Sequence, residues 1–304
     1  MTVERARPRL GLAVGVLAVS WAAILIRLAE AAPLAIAAWR LLLAGVGTLA
    51  FALVARRGEL AALPVRGFAA LSLAGLALAL HFATWIASLR LTTVASSVAL
   101  VTTQPVFVAL LSRLFLGERT RLRAALGIAL ALLGSAVMAG GDLALGSRAL
   151  EGDALAVLGA MAAAAYFVVG RTERRRLSLG AYVGVVYPVA AAALVALALA
   201  FRSPLSGYDG RTWLALSALA LIPQLLGHSL LNWSLRWLSG TLVAVAILAE
   251  PVVSTLLAIP VLGERPRWHQ IAGGAVLLAG VALAAVGPAA PVRAAEASAA
   301  RPGG

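Results

Sequence analysis

Glu250 is the side chain in this sequence most able to do chemistry. It stands in Ala246-Ile247-Leu248-Ala249-Glu250-Pro251-Val252, deep inside an apolar run. A charge at the middle of a bilayer costs roughly 2.5–3.5 kcal/mol on insertion scales, so an ionisable residue there needs a reason. A carboxyl group at that depth can take up and release a proton, as a coupling site requires. The alternative is a protonated acid hydrogen-bonded to a neighbouring helix. Gln104 occupies the equivalent depth of another apolar run and cannot titrate, which suits it to hydrogen-bonding a ligand or packing beside a symmetry axis. Arg40 keeps its charge at any accessible pH. Three roles are open to it: pairing with Glu250, binding a carboxylate, or snorkelling to the interface.

Gln224, His228 and Asn232 follow at i, i+4 and i+8, a stripe about 80° wide on an α-helix. Such a stripe on an apolar helix lines a water-filled cavity or bonds a neighbouring helix. His81 and Trp85 repeat the theme at i and i+4, and His81 could carry a proton near neutral pH. Trp21, Trp39, Trp85, Tyr166 and Tyr187 sit well inside apolar runs, where they either fill the core or wall a pocket for a flat or apolar ligand. Trp213, Trp233, Trp237 and Trp268 fall at run ends, as interfacial anchors do.

The elements that position these residues follow from composition. Of 304 residues, 62% are hydrophobic and 12% charged, a balance that excludes an ordinary water-soluble enzyme. Cysteine is absent, so there are no disulfides, thiolate metal sites or cysteine nucleophiles. All 25 basic residues are Arg, scattered between apolar runs as membrane-flanking charge rather than gathered in a nucleic-acid-binding stripe. A membrane-crossing helix needs about 20 apolar residues. Ten segments qualify: 10–29, 33–55, 67–89, 94–115, 122–140, 152–170, 179–201, 212–232, 241–262 and 268–287. Counting Arg in alternate connections puts 17 on one side and 6 on the other, which predicts both termini in the cytoplasm. Residues 288–304, rich in Ala, Pro and Gly, read as a disordered cytoplasmic tail. Pro105, Pro188, Pro223, Pro251 and Pro260 interrupt the apolar runs; the first four are hinge candidates.

The chain also repeats itself. Gln104-Pro105 and Gly117-Glu118-Arg119-Thr120-Arg121 recur as Glu250-Pro251 and Gly263-Glu264-Arg265-Pro266-Arg267, at an offset of 146 residues. The same offset pairs Gly127 with Gly273, Gly134 with Gly280, and Ser88-Leu89-Arg90 with Ser234-Leu235-Arg236. Two five-helix units, 1–141 and 152–287, therefore make up the chain. Because five is odd, the second unit must cross in the opposite sense. An inverted repeat of this kind points to alternating access between two sides of a membrane.

Pro33-Leu34-Ala35-Ile36-Ala37-Ala38-Trp39-Arg40 resembles the segment before the intramembrane Arg of EamA-type transporters, in the drug/metabolite transporter superfamily. The repeated proline with Gly-Glu-Arg at the following boundary resembles the same family. This resemblance implies an all-α integral membrane protein of ten helices in two inverted repeats. It implies export or exchange of small metabolites, amino acids or drugs, often with protons, by a monomer or homodimer in the plasma (inner) membrane. No cofactor or metal is implied. Val186 is the register mate of Arg40, so the Arg is not duplicated. An intramembrane enzyme and a passive channel are the competing readings. Against the enzyme stands the lack of an HExxH, Gly-x-Ser-Gly or Walker pattern. Against the channel stands the lack of a filter-like polar repeat.

Overall fold

The computed structural model describes residues 3–92, 94–117, 120–139, 147–263 and 267–285, and every regular element among them is helical. In chain order these are α1 (Val3–Val19), α2 (Ala22–Leu28), α3 (Pro33–Ala55), α4 (Arg57–Ala61), α5 (Val65–Ser88), α6 (Val94–Val101), α7 (Gln104–Leu116) and α8 (Leu122–Ala139). Then come α9 (Ser147–Glu173), α10 (Leu179–Ala200), α11 (Gly210–Leu219), a π-helical stretch at Ala220–His228, α12 (Ser229–Ser234), α13 (Gly240–Ile247), α14 (Glu250–Leu262) and α15 (Trp268–Ala285). The tail expected at 288–304 lies outside the described residues.

Seven helical stretches are long and apolar enough to cross a membrane: Arg7–Leu28, Pro33–Ala55, Val65–Ser88, Ser147–Glu173, Leu179–Ala200, Gly210–Ser234 and Gly240–Leu262. The remaining three expected segments appear as shorter apolar helices, Gln104–Leu116, Leu122–Val137 and Ile271–Ala284. Val54, Phe68, Leu73, Leu114, Leu126 and Ile271 project outward with more than half their surface exposed. Water would not favour so broad an apolar exterior; hydrocarbon does.

Three of the expected straight spans are jointed. The joints at Thr102–Thr103 and Leu248–Ala249 have a common cause in proline. Proline lacks the N–H that would bond the carbonyl four residues earlier, and its ring collides with that carbonyl. For Pro105 the carbonyl belongs to Val101, the last residue of α6, and for Pro251 to Ile247, the last residue of α13. The Thr102 hydroxyl turns back to the Val98 carbonyl (2.8 Å) and that of Thr103 to Leu100 (2.7 Å). A third joint, at Ser20–Trp21, has no proline; there the Ser20 hydroxyl bonds the Val16 carbonyl at 2.7 Å. Gln104 and Glu250 are thus corrected from the middle of continuous helices to the first residues of new ones. Pro223 lies in a stretch of π geometry, so the helix that carries Gln224, His228 and Asn232 is not α-helical throughout. By contrast, α10 runs unbroken through Pro188 and α14 through Pro260, against the expectation that both interrupt.

Element boundaries recur at the 146-residue offset. The bounds of α6, α7 and α8, moved along by that number, are the bounds of α13, α14 and α15. Both α7 and α14 stop at a glycine in the left-handed region, Gly117 (φ 65°) and Gly263 (φ 69°), where a side chain would be strained. The corresponding helices α8 and α15 pack against each other through small residues. A Cβ on Gly134 would lie 2.4 Å from the Leu277 nitrogen, and one on Gly280 would lie 2.4 Å from the Ala131 nitrogen. The larger core gathers α3, α5, α9 and α10 around Phe82, Trp85, Tyr166, Tyr182 and Tyr187.

Candidate functional site

Seven of the residues singled out by sequence meet around one internal cavity. Arg40 comes from α3, His81 and Trp85 from α5, Gln104 from α7, Tyr166 from α9, His228 from the π-helical stretch and Glu250 from α14. Val19, Ala22, Val101, Thr102, Ala163, Phe167, Leu231 and Ile247 complete the wall. The two proline joints deliver Gln104 and Glu250 to the same space, because a helix that restarts there presents its first residue to the cavity. The volume open to water centres is about 30 Å³, room for about two waters. At that volume the cavity is too small to hold a metabolite.

Arg40 is fully buried. Its Nε donates to Gln224 Oε1 at 2.9 Å, and its guanidinium carbon lies 4.0 Å from the centre of the Phe82 ring. Nη1 and Nη2 have no hydrogen-bond partner. Among the described residues no ion pair joins Arg40 to Glu250 within 4.0 Å, so the direct pairing left open by the sequence is not made here. The His81 Nδ1 donates to the Gly159 carbonyl at 3.0 Å, which places a proton on that nitrogen. The same ring stacks on Trp85 with centroids 5.8 Å apart. His228 stands edge-on to Phe82 at 5.3 Å.

The other expected site residues sit behind this wall or away from it. Gln224 holds Arg40 from behind. Asn232 Nδ2 donates to the Tyr166 hydroxyl and, at 3.5 Å, to that of Tyr187, which meets Ser229 Oγ at 3.3 Å. Of the polar stripe, then, only His228 lines the cavity; Gln224 and Asn232 are held in the helix packing by Arg40, Tyr166 and Tyr187. Trp21 lies at the first joint and packs on the core without lining the cavity. Trp39 donates from its indole nitrogen to the Leu205 carbonyl (2.8 Å) and meets Trp213 edge-to-face at 4.8 Å. That contact makes Trp213 a packing partner of Trp39 as well as a residue near a helix end.

Thr102, Phe82 and Phe167 were not expected at the site. The first is an unremarked hydroxyl beside the Gln-Pro pair, and the phenylalanines are lost among apolar neighbours. Also unexpected are Arg171 and Arg174, which sequence reads as loop charges. Arg171 Nη1 donates to the Leu235 carbonyl at 2.9 Å. Arg174 Nε donates to the Asn232 carbonyl at 3.2 Å and Nη1 to that of Leu177.

Comparison with known proteins adds identity to this geometry. The EamA-like transporter family matches residues 10–140 and 150–286. An uncharacterized transporter of Archaeoglobus fulgidus is 27% identical over 205 residues, covering 67% of this chain and 72% of that protein. A crystal structure of a protein 23% identical to this one superimposes with a TM-score of 0.75, over 92% of this chain and 96% of that one. At that identity the likeness speaks for the fold alone.

Proposed function

The chain belongs to the EamA-like transporter family and is a multi-pass membrane transporter that takes small molecules; from that premise we propose that it is a secondary carrier, working by alternating access and coupled to protons through Glu250. The observation that carries the reading is the pair of broken helices, α6–α7 and α13–α14, whose restart residues Gln104 and Glu250 line one cavity. Discontinuous helices at the repeat interface are where secondary carriers hold substrate and coupling ion. In this reading residues 1–141 and 152–287 are two inverted five-helix repeats, ten crossings in all, with both termini in the cytoplasm and the protein in the plasma (inner) membrane. The recurrence of helix bounds at 146 residues supports the repeat. Export of metabolites, amino acids or drug-like compounds fits the family, and Pro105, Pro223 and Pro251, where helical geometry changes, are the points at which the bundle bends. Pro188 joins them as a weak point within an intact helix.

A substrate is found by screening an overexpressing strain for resistance to metabolites and drugs, then reconstituting the protein in liposomes. Saturable counterflow is expected; flux linear in concentration would mean a channel. Glu250→Gln is expected to insert normally and to lose proton-coupled uptake by at least tenfold, the scale of a lost proton-transfer group. Unchanged coupled uptake in that variant removes Glu250 from the mechanism.

A further inference from the structure

The cavity holds a charge with no ion-pair partner among the described residues. Arg40 is fixed on two sides: Gln224 Oε1 takes its Nε at 2.9 Å, and Phe82 lies against its face at 4.0 Å. What remains is the end of the guanidinium, where Nη1 and Nη2 are buried and make no hydrogen bond. A buried donor left unmade costs about 1–3 kcal/mol, and more when charged. The neighbouring indole donor Trp85 Nε1 and the ring nitrogen His228 Nδ1 are likewise buried without a partner. His81 is committed to Gly159. Glu250 is the acid that lines the cavity, and it stands beyond ion-pair distance from Arg40.

Resting on the carrier reading above, we infer that the substrates are organic monocarboxylates, bound head-first with both carboxylate oxygens on Nη1 and Nη2 of Arg40. Two parallel N–H groups in one plane match the two oxygens of a carboxylate, and this bidentate pairing is among the strongest hydrogen-bonded ion pairs. Gln224 sets the rotation of the plane by holding Nε, which makes it a positioning residue rather than a ligand contact. A dianion is disfavoured, because one fixed cation leaves its second charge unpaired in a low-dielectric space. A cation is disfavoured by Arg40 itself. Trp85, Tyr166 and Phe167 line the cavity and supply aromatic surface for an apolar body behind the head group. With room for about two waters in this conformation, such a ligand fits only when the space between the helices widens.

The test uses the purified full chain in lipid nanodiscs and three probes of one shape: benzoate, benzamide and benzylamine. Binding is read from thermal unfolding at millimolar probe. Benzoate is expected to raise Tm, and the amide and amine are not. In Arg40→Gln the benzoate shift disappears, and in Arg40→Lys it is smaller, because an ammonium cannot give the planar pair. Equal shifts from benzoate and benzamide, no shift from any probe, or a larger shift from benzylamine would overturn the inference. So would an unchanged benzoate shift in Arg40→Gln. The head-group comparison on the wild-type protein stands even where that variant fails to fold. Counterflow separates this inference from the carrier reading: saturable transport confined to neutral or cationic compounds sinks the carboxylate and leaves the carrier, whereas no saturable transport of any compound sinks the carrier.

Discussion

Arg174, just past the end of α9, is 1% exposed although three arginines in a row would ordinarily be solvated. Burial, with Arg236 adding to it, lowers its guanidinium to about 10, so it remains a cation at neutral pH. Its side chain closes two backbone carbonyls, those of Asn232 and Leu177, and so ties α9 to α12. Arg174→Met is expected to leave both acceptors unmet and to cost about 1–3 kcal/mol, seen as a lower Tm in detergent; an unchanged Tm would show the tie to be idle. Nearby, Glu59 Oε2 accepts from the Ser178 backbone N–H at 2.8 Å at the start of α10. Partial burial pushes the Glu59 carboxyl up, but the hydrogen bonds from Ser178 and the charges of Arg56 and Arg174 outweigh it and hold it below its ordinary 4.5. A depressed carboxyl stabilises the fold above its unfolded pKa, and that help is lost as pH falls through the folded value. Glu59→Gln should therefore flatten the loss of Tm between neutral pH and acid below 4.5. A Tm curve parallel to wild type would deny the carboxylate that role.

Elements here are shaped by where a backbone bond is missing and where a side chain is missing. Proline removes the bond at the Val101 and Ile247 carbonyls and so creates the joints that bring Gln104 and Glu250 to the cavity. Glycine removes the side chain where α8 crosses α15. Without a hydrophobic drive between helices in lipid, such close backbone approach supplies the packing. Gly134→Ala puts a methyl 2.4 Å from a backbone nitrogen that cannot rotate away, so an overpacking cost of about 1–3 kcal/mol is expected. Gly47→Ala in α3 meets nothing within 4 Å and should be neutral or stabilising by up to about 1 kcal/mol. Thermal unfolding of the pair checks this; equal effects would mean that the α8–α15 contact yields freely.

For the whole molecule, the proposed carrier rests on two like halves threaded in opposite senses. The chain contains no cysteine, so single cysteines report cleanly on sidedness. Arg121 and Arg267, exposed and 146 residues apart, each precede a matching helix. Arg121→Cys is expected to react with an impermeant maleimide from the cytoplasmic face and Arg267→Cys from the opposite face. Labelling from one side alone would break the inverted arrangement and the alternating mechanism with it.

Sequence by itself determined the membrane character, the ends of most helices and the 146-residue repeat. Each of these is set by local composition, spacing or backbone chemistry, which a linear reading contains. Of its five expected proline interruptions, those at Pro105, Pro223 and Pro251 coincide with a change of helical geometry, while Pro188 and Pro260 do not. Which polar residues share a space was decided only by the tertiary structure. Arg40, His81, Gln104, His228 and Glu250 come from five different helical stretches, and their meeting depends on how those stretches rotate and pack. Hydrogen bonds to Arg40, Tyr166 and Tyr187 hold Gln224 and Asn232 behind the wall, and burial of Arg174 turned a loop charge into a tie between helices. Those outcomes are long-range balances of packing and hydrogen bonding, and no spacing within one segment encodes them.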